Sequence, residues 1–362
     1  MKNKSILLLI SLFAIVCLSV TLKTSVANAY TTHGEWPSST IHYSFVNLTQ
    51  TDAVDGVLAV TNVKDAPANF NLISGTGDIY YYSVVHVGGE WEDVFALTDP
   101  DYSSPGILSE AYVYINDAYT DGLPRQGRQH VIAHETGHAL GLGEMYTGAE
   151  LMRVPYSTAY GTYKIFVPLY DDNSGLQYLY GLLGRTQKPN IYKTTNGYVT
   201  QGAGGYPERL YISPAGTSQY ASAFETRTSL PYSNSVYMTG TVKGSTLYRY
   251  AIGLFVSTGP SDRMMTIEMR NNGFYIVKNG ASSTISTSIQ SNTYYDLYLV
   301  VEKGLPARAY VLRSGNWVGT AQLSLSYSWS KTVRIGNGVW TDSPSNPASD
   351  YTDDAWWNRM LN

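Results

Sequence analysis

Residues 134–144 constrain this chain more than any other part of its sequence. His134 and His138 are four residues apart, so on a helix they lie on the same face, where two imidazoles can bind one Zn²⁺. Glu135 lies beside them, where its carboxylate could take a proton from metal-bound water. Gly141 allows the helix to end, because glycine adopts the left-handed conformation at little cost. The chain would then bring Glu144 back toward the metal as a third ligand. These residues predict a zinc site of the hydrolase type.

Two later segments add to this pattern. Residues 150–156 contain Met152 and Pro155, and this stretch resembles the Met-turn that lies beneath the zinc ion in metzincin metallopeptidases. Residues 171–181 begin with two aspartates and resemble the start of the last catalytic-domain helix in the matrixin family. From about residue 30 to 181, the chain therefore resembles a matrixin-like metzincin zinc metallopeptidase. The resemblance places Met152 in the Met-turn and makes Pro155 and Tyr156 candidates for lining the substrate pocket.

The sequence departs from the matrixin pattern at two positions. Matrixins have histidine where this chain has Glu144, and no histidine follows His138 here. Glu144 is therefore the best candidate for the third ligand by elimination, and it resembles the acidic third ligand of snapalysin-type metzincins. The alternative is that Glu144 is a solvated carboxylate and that the third ligand is missing. Pro155 also comes one residue later after Met152 than in matrixins.

The N-terminus has the pattern of a secretory signal peptide over residues 1–29. Lys2 and Lys4 precede an apolar run over residues 6–20, and residues 27–29 read Ala-Asn-Ala. The run is shorter than a membrane span, and no later segment is long and apolar enough, so we expect a secreted, extracellular protein with no transmembrane segment. The only cysteine, Cys17, lies in this signal. Stability would then come from packing, with bound Ca²⁺ as a candidate structural cofactor.

Charge limits the classes of partner. Removing residues 1–29 removes three lysines and no acidic residue, so 24 basic residues become 21 against 28 acidic ones, a net charge of 21 − 28 = −7. A mildly acidic surface argues against nucleic acid as a partner. We expect a monomer that acts on a protein or peptide substrate.

Length and periodicity predict two domains. The expected fold class is an α+β metzincin catalytic domain (a twisted mixed sheet plus three helices) over residues 30–183, followed by a linker over residues 184–195. Short alternating runs separated by Asn-Gly turns then predict an all-β antiparallel sandwich over residues 196–362. This sandwich loosely resembles concanavalin-like or laminin-G-like jelly rolls. We expect it to bind a carbohydrate or cell-surface ligand.

Several aromatic and acidic side chains have two interpretations. The tyrosines of residues 157–170 either form a pocket wall or pack the surface. Five tryptophans of the sandwich either stack on sugars or, more often in such folds, fill its core: Trp317, Trp329, Trp340, Trp356 and Trp357. Asp353 and Asp354 are candidates for binding Ca²⁺.

The function expected from these features is that of a secreted zinc metalloendopeptidase. Water bound to Zn²⁺ would be deprotonated by Glu135 and would attack the peptide carbonyl. A strand near residues 93–97 is the candidate edge for binding an extended peptide by main-chain pairing. The alternative is a surface or glycan-binding protein whose metzincin domain is degenerate and inactive. A zinc hydrolase that is not a peptidase is a third option.

Overall fold

The structure is a computed structural model that describes residues 30–181 except 65 and 67. Beyond residue 196 it describes the strands, together with the turns between residues 265 and 324 apart from 271, 279–280, 291–292 and 303–304. The predicted signal peptide and linker lie outside the described residues, as do Trp329 and the side chains of Trp340, Trp356, Trp357, Asp353 and Asp354.

A five-stranded sheet organises the N-terminal part. Its strands are β1 (Thr40–Asn47), β2 (Asn71–Ser74), β3 (Ile79–Val84), β4 (Ala96–Ser104) and β5 (Ile107–Asn116). The order across the sheet is β2-β1-β3-β5-β4, in which the first four strands are parallel and β4 pairs antiparallel with β5. β4 therefore forms one edge of this sheet. Its outer backbone groups have no strand partner among the described residues.

Helices cover this sheet. They are α1 (Gln50–Lys64), α2 (Asp117–Thr120), α3 (Arg125–Ala139) and α4 (Tyr170–Tyr180), with a 3₁₀ turn at Gly89–Trp91 and a π-helical turn at Ser157–Thr162. α1 packs against α3, and Asp55 of α1 accepts hydrogen bonds from Arg125 at 2.7 Å and Arg128 at 2.8 Å. α3 is attached to the sheet by a buried hydrogen bond of 2.8 Å between the hydroxyls of Tyr81 and Thr136. The helix is therefore held from both sides.

The C-terminal part consists of two antiparallel sheets. One has the order β13-β12-β11-β10-β17-β8 and the other the order β16-β15-β14-β9-β18-β7-β6. Their strands are β6 (Gly197–Gln201), β7 (Arg209–Pro214), β8 (Tyr220–Thr228), β9 (Ser235–Lys243), β10 (Tyr250–Ser257), β11 (Met265–Arg270), β12 (Gly273–Lys278), β13 (Ala281–Ser286), β14 (Tyr294–Glu302), β15 (Ala307–Arg313), β16 (Asn316–Leu323), β17 (Thr332–Thr341) and β18 (Asp353–Trp357). Buried residues such as Ile267, Ile276 and Leu299 lie in its core.

The sandwich packs directly against the N-terminal part at residues 163–170. The Tyr310 hydroxyl donates a hydrogen bond of 2.5 Å to the carbonyl of Lys164, and the Tyr237 hydroxyl donates one to the carbonyl of Pro168. The rings of Tyr163 and Trp317 meet edge to face, with centroids 4.9 Å apart. Buried apolar residues of both parts form one continuous cluster. Trp317 is thus an aromatic of the sandwich that packs against the rest of the protein.

The predicted fold class was wrong. A metzincin α+β domain does not describe this chain, which is mostly sheet: the described residues contain eighteen strands and four α-helices, one of them a single turn. The helical signals were strong but local, covering only a small part of the chain. Many of the buried apolar side chains instead lie on strands, and β11, β14 and β15 are buried on both faces. No helix among the described residues is long and apolar enough to cross a membrane.

Candidate functional site

The last two turns of α3 present two imidazoles on one face. His134 is buried and His138 is half-buried, and their ring centroids lie 4.8 Å apart. The Nδ1 atom of His134 is 2.9 Å from the carbonyl oxygen of Leu151, and Nδ1 of His138 is 2.9 Å from that of Leu142. A carbonyl only accepts, so each Nδ1 carries the proton. Both Nε2 atoms are therefore left with lone pairs for a metal ion.

Glu144 completes a group of three donors. Its Oε2 lies 3.6 Å from Nε2 of His134, and its Oε1 lies 3.4 Å from Nε2 of His138. Two donors about 2.1 Å from a tetrahedral zinc ion lie about 3.4 Å apart, so these separations suit one shared ion. The Oε2 atom is inaccessible to solvent and has no hydrogen-bond partner. The three residues therefore fit Zn²⁺, for which two nitrogens and a carboxylate are a known ligand set.

Protons and metal compete for this cluster. Burial lowers the pKa of His134, but the neighbouring carboxylates of Glu144 and Glu135 raise it more, to about 9. Burial raises the pKa of Glu144, but the two imidazoles bring it down to about 2. Without metal, the cluster thus holds a proton that a metal ion must displace. Metal affinity should fall as the pH falls.

Glu135 faces the edge strand of the sheet. The residue is 7% exposed, and the Thr98 hydroxyl of β4 lies 2.7 Å from its Oε2 and 3.0 Å from its backbone carbonyl oxygen. Thr98 therefore fixes the carboxylate relative to β4. A chain bound along that edge would pass close to Glu135.

Met152, the residue expected in a Met-turn, packs against Gly137 of α3, and its role stays a prediction. A Cβ added to Gly137 would lie 2.3 Å from the Met152 sulfur, so only glycine fits on the helix there. The carboxylate of Asp172 in α4 accepts hydrogen bonds from the backbone N–H of Leu151 at 2.7 Å and of Met152 at 3.1 Å. Asp172 is fully buried and is held close to the equally buried Glu150, whose pKa is raised well above its usual range by burial and by Asp172.

Pro155 and Tyr156 lead into the π-helical turn. The carbonyl of Pro155 accepts a hydrogen bond of 2.8 Å from the N–H of Thr158. The ring of Tyr156 is 4.8 Å from that of Phe95 and 5.3 Å from that of His130. Tyr156 thus packs against the turn of α3 that precedes His134, and these contacts leave its role as a pocket residue a prediction.

The N-terminal residues hold the turn that carries Glu144, which the sequence did not reveal. The N–H of His33 donates to the carbonyl of Gly141 at 2.9 Å, and the Thr31 hydroxyl donates to the carbonyl of Glu144 at 2.9 Å. Gly141 has a positive φ of 94°, and a Cβ there would lie 1.9 Å from the carbonyl oxygen of Gly34. The ring of His33 also approaches that of His138, at 6.2 Å. No spacing rule in the sequence connects residues 31–34 to residue 144.

Comparisons with known proteins find no matching protein-family model and no matching curated protein. The chain is similar to several solved structures over about half of its length. One is a sialidase, with a TM-score of 0.35 and 12% identity, covering 47% of this chain and 16% of the sialidase. A second is the alginate lyase AlgAT5 of polysaccharide lyase family 7, with a TM-score of 0.31 and 12% identity, covering 47% of this chain and 83% of the lyase.

A third is the carbohydrate-binding module CBM66 from Bacillus subtilis. It has a TM-score of 0.30 and 18% identity, and the match covers 48% of this chain and 96% of the module. The names of these three structures all refer to carbohydrates, and none refers to a zinc peptidase.

Identification of the chain as a matrixin-like metzincin was wrong. No family model supports it, and the neighbours are sialidase, lyase and carbohydrate-binding proteins. As names of a family, the terms metalloprotease and matrixin were therefore wrong as well, while the enzymatic activity stays a prediction. The physical reason is that a helix with two histidines, a glycine turn and a methionine beneath it are local solutions to binding one metal ion. They constrain the donors and not the fold around them.

Proposed function

We propose that the chain is a zinc-dependent hydrolase that cleaves peptide bonds, independently of any family assignment. The observation that carries the proposal is the group of three donors at His134, His138 and Glu144. The Nδ1 atoms of both histidines lie within hydrogen-bond distance of backbone carbonyl oxygens. Oε2 of Glu144, which faces Nε2 of His134, has no hydrogen-bond partner. Structural ion pairs in a folded protein are normally completed by hydrogen bonds to both partners, whereas this cluster is left incomplete.

Glu135 is the residue that moves the proton in this proposal. A zinc ion in the cluster would supply an acidified water molecule and polarise the substrate carbonyl. The Glu135 carboxylate takes the proton from the attacking water and returns it to the leaving amine. Thr98 orients this carboxylate through its hydrogen bond to Oε2.

The edge strand β4 supports a peptide as the substrate. Its outer backbone groups can pair with an extended chain, and such pairing recognises a polypeptide through its main chain. Because Thr98 of β4 contacts Glu135, a peptide on this edge would have its carbonyl groups near the cluster.

The test is hydrolysis of denatured casein by the full chain, purified from a secreting host and supplied with ZnCl₂. We expect cleavage that a chelator abolishes and that Glu135→Gln reduces about 10²- to 10⁴-fold, while the bound zinc measured by atomic absorption is retained. Glu90→Gln is the matched control, because Glu90 is an exposed carboxylate on the 3₁₀ turn. A protein that binds one zinc ion and cleaves neither casein nor a library of unfolded peptides would contradict the peptidase proposal.

The second candidate is a carbohydrate-binding protein with an inactive metal site. The ligand class is that of the carbohydrate-binding neighbours, and the argument comes from a polar cluster on β11 and β12. Arg270 donates two hydrogen bonds, of 2.8 and 2.6 Å, to Oε2 of Glu268 and lies 4.9 Å above the ring of Tyr275. Glu268 is buried and holds Arg270 in place, whereas the guanidinium of Arg270 and the ring of Tyr275 are partly exposed and can bind sugar hydroxyls and a sugar ring face.

This candidate is tested by binding. Affinity electrophoresis of the full chain in gels containing alginate, glucuronan or mannan should show retardation that Tyr275→Ala removes. Tyr80→Ala is the control, because Tyr80 lies on the N-terminal sheet. If polysaccharides retard the chain and casein is untouched, the second candidate replaces the first.

A further inference from the structure

A second group of acidic side chains lies near the start of α3, away from the zinc donors. Asp52 is in the first turn of α1, Asp117 is the first residue of α2, and Asp121 follows α2. One carboxylate oxygen from each lies within 4.8 Å of the others. Two segments that are distant in sequence, the first turn of α1 and the two ends of α2, thus bring three carboxylates together.

Two of these carboxylates are buried and incompletely bonded. Asp52 is fully buried and Asp117 is 8% exposed, and the Oδ1 atom of each is inaccessible and lacks a hydrogen-bond partner. Oδ2 of Asp52 accepts a hydrogen bond of 2.9 Å from the Thr49 hydroxyl, so Oδ1 is the oxygen of Asp52 that lacks a hydrogen bond. Buried carboxylate oxygens without a partner are costly, and a shared proton or a bound cation can complete them. Burial and the neighbouring Asp52 raise the pKa of Asp117 to about 7, so a cation at this point would displace a proton.

The charges in contact with this group leave an excess of two negative charges. Asp55 pairs with Arg125 and Arg128 through hydrogen bonds of 2.7 and 2.8 Å, which leaves one positive charge over. Arg128 is 4.0 Å from Oδ1 of Asp52, too far for a hydrogen bond. When all three carboxylates are ionised, they and that one positive charge sum to 1 − 3 = −2, the charge that a divalent cation neutralises.

We propose that Asp52, Asp117 and Asp121 form a binding site for Ca²⁺. All the donors are oxygens, which suits a hard cation such as Ca²⁺ and not Zn²⁺, which favours nitrogen and sulfur. Asp121 is exposed, so the ion would reach the site from its side, whereas Asp52 and Asp117 are buried and would bind the ion from the protein interior. The ion joins α1 to α2 and to the start of α3, the helix that carries the histidines. It therefore stabilises that helix from its N-terminal end, whether or not the chain is a hydrolase.

The test uses calorimetric titration of the full, zinc-loaded chain with CaCl₂. We expect a saturable calcium site, and a melting temperature about 5 °C higher at a hundredfold excess over the dissociation constant. Asp121→Asn should weaken this binding about tenfold or more, because it removes one charged ligand. Asp117→Asn should do the same, whereas Asp99→Asn, an exposed carboxylate on β4, should not.

Two results would overturn the site. One is unchanged calcium affinity in Asp121→Asn, a variant at an exposed position that should fold normally. The other is an Asp117→Asn protein that is as stable without calcium as the wild type with it, which would mean that the two buried carboxyls share a proton. Glu144→Gln should retain calcium binding and lose zinc, so failure here is distinct from failure of the hydrolase proposal.

Discussion

The candidate metal donors at the end of α3 and the polar cluster on β11 and β12 differ in how their hydrogen bonds are made. In the first, His134 and His138 donate outward to backbone carbonyls, while their Nε2 atoms and Oε2 of Glu144 face one another. In the second, Glu268 accepts from Arg270 at both its Nε and Nη2, and from Thr266 at 3.0 Å.

In the first group, Oε2 of Glu144 lacks a hydrogen bond, whereas in the second the carboxylate of Glu268 is hydrogen-bonded by its neighbours. Polar groups that satisfy one another stabilise the fold whether or not anything binds. Groups that are oriented by the backbone and left incomplete gain a partner only when a ligand arrives. The geometry of the donors, more than their residue types, therefore favours the first cluster as the chemical centre.

The largest expected effect is on zinc binding. Glu144→Ala should reduce zinc affinity about 10²-fold or more, because it removes a ligand and not an outer-shell group. Glu268→Gln should leave zinc affinity unchanged and should lower the free energy of unfolding by about 1 kcal/mol, because the Arg270 guanidinium then donates to a neutral amide in place of a carboxylate. Zinc competition with a fluorescent chelator and urea unfolding measure the two quantities. Equal zinc affinity in the wild type and in Glu144→Ala would contradict the prediction that Glu144 is a zinc ligand.

Gly141→Ala tests how the turn to Glu144 is held. A methyl group would meet the carbonyl of Gly34 at 1.9 Å, on a residue that already has positive φ. We expect a loss of about 4 kcal/mol in the free energy of unfolding, together with weaker zinc binding. Gly181→Ala is the matched control, because Gly181 has a φ of 81° with nothing within 4 Å of the added Cβ. It should lose only about 1–2 kcal/mol.

Glu302 makes the stability of the sandwich boundary depend on pH. The residue is 2% exposed, and burial raises its pKa from 4.5 to about 7, although Gln126 opposes this shift. A raised carboxyl pKa means that the folded state binds the proton more tightly. Its contribution is therefore fully present below pH 4.5 and is lost as the pH rises through 7, a change of about 3 kcal/mol.

Glu302→Gln should remove that dependence. The free energy of unfolding in urea at pH 5 and pH 8 gives the wild-type change, and the change should be smaller in the variant by roughly this amount. Glu90→Gln, at an exposed site, should follow the wild type. If the free energy of unfolding of Glu302→Gln changed between pH 5 and pH 8 as much as that of the wild type, other carboxyl groups would be responsible for the pH dependence.

The smallest effect concerns the packing of the two parts. Tyr310→Phe removes the hydrogen bond to the carbonyl of Lys164 and should lower the free energy of unfolding by about 1 kcal/mol. Tyr112→Phe is the control, because its hydroxyl bonds to Glu110 on the sheet and not across this boundary. If calorimetry shows two separate unfolding transitions that Tyr310→Phe leaves unchanged, the parts are not coupled through residues 163–170.

Local spacing predicted more of this molecule than resemblance did. Alternating apolar residues favour strands around residues 41–45, 111–116 and 265–269, where the structure has β1, β5 and β11. The helix that the spacing of His134 and His138 predicts is α3. The family, and with it the fold class, was wrong, because motifs at one metal site say little about how the sheets are arranged.

The sequence by itself determined that His134 and His138 share a face and that Gly141 can reverse the chain. Both depend only on helix periodicity and on the freedom of glycine. Only the tertiary structure decided that Thr98 orients Glu135, that residues 31–34 hold the turn to Glu144, and that Asp52 meets Asp117. Those contacts join residues tens of positions apart, and their existence depends on strand order and burial, which no local pattern specifies.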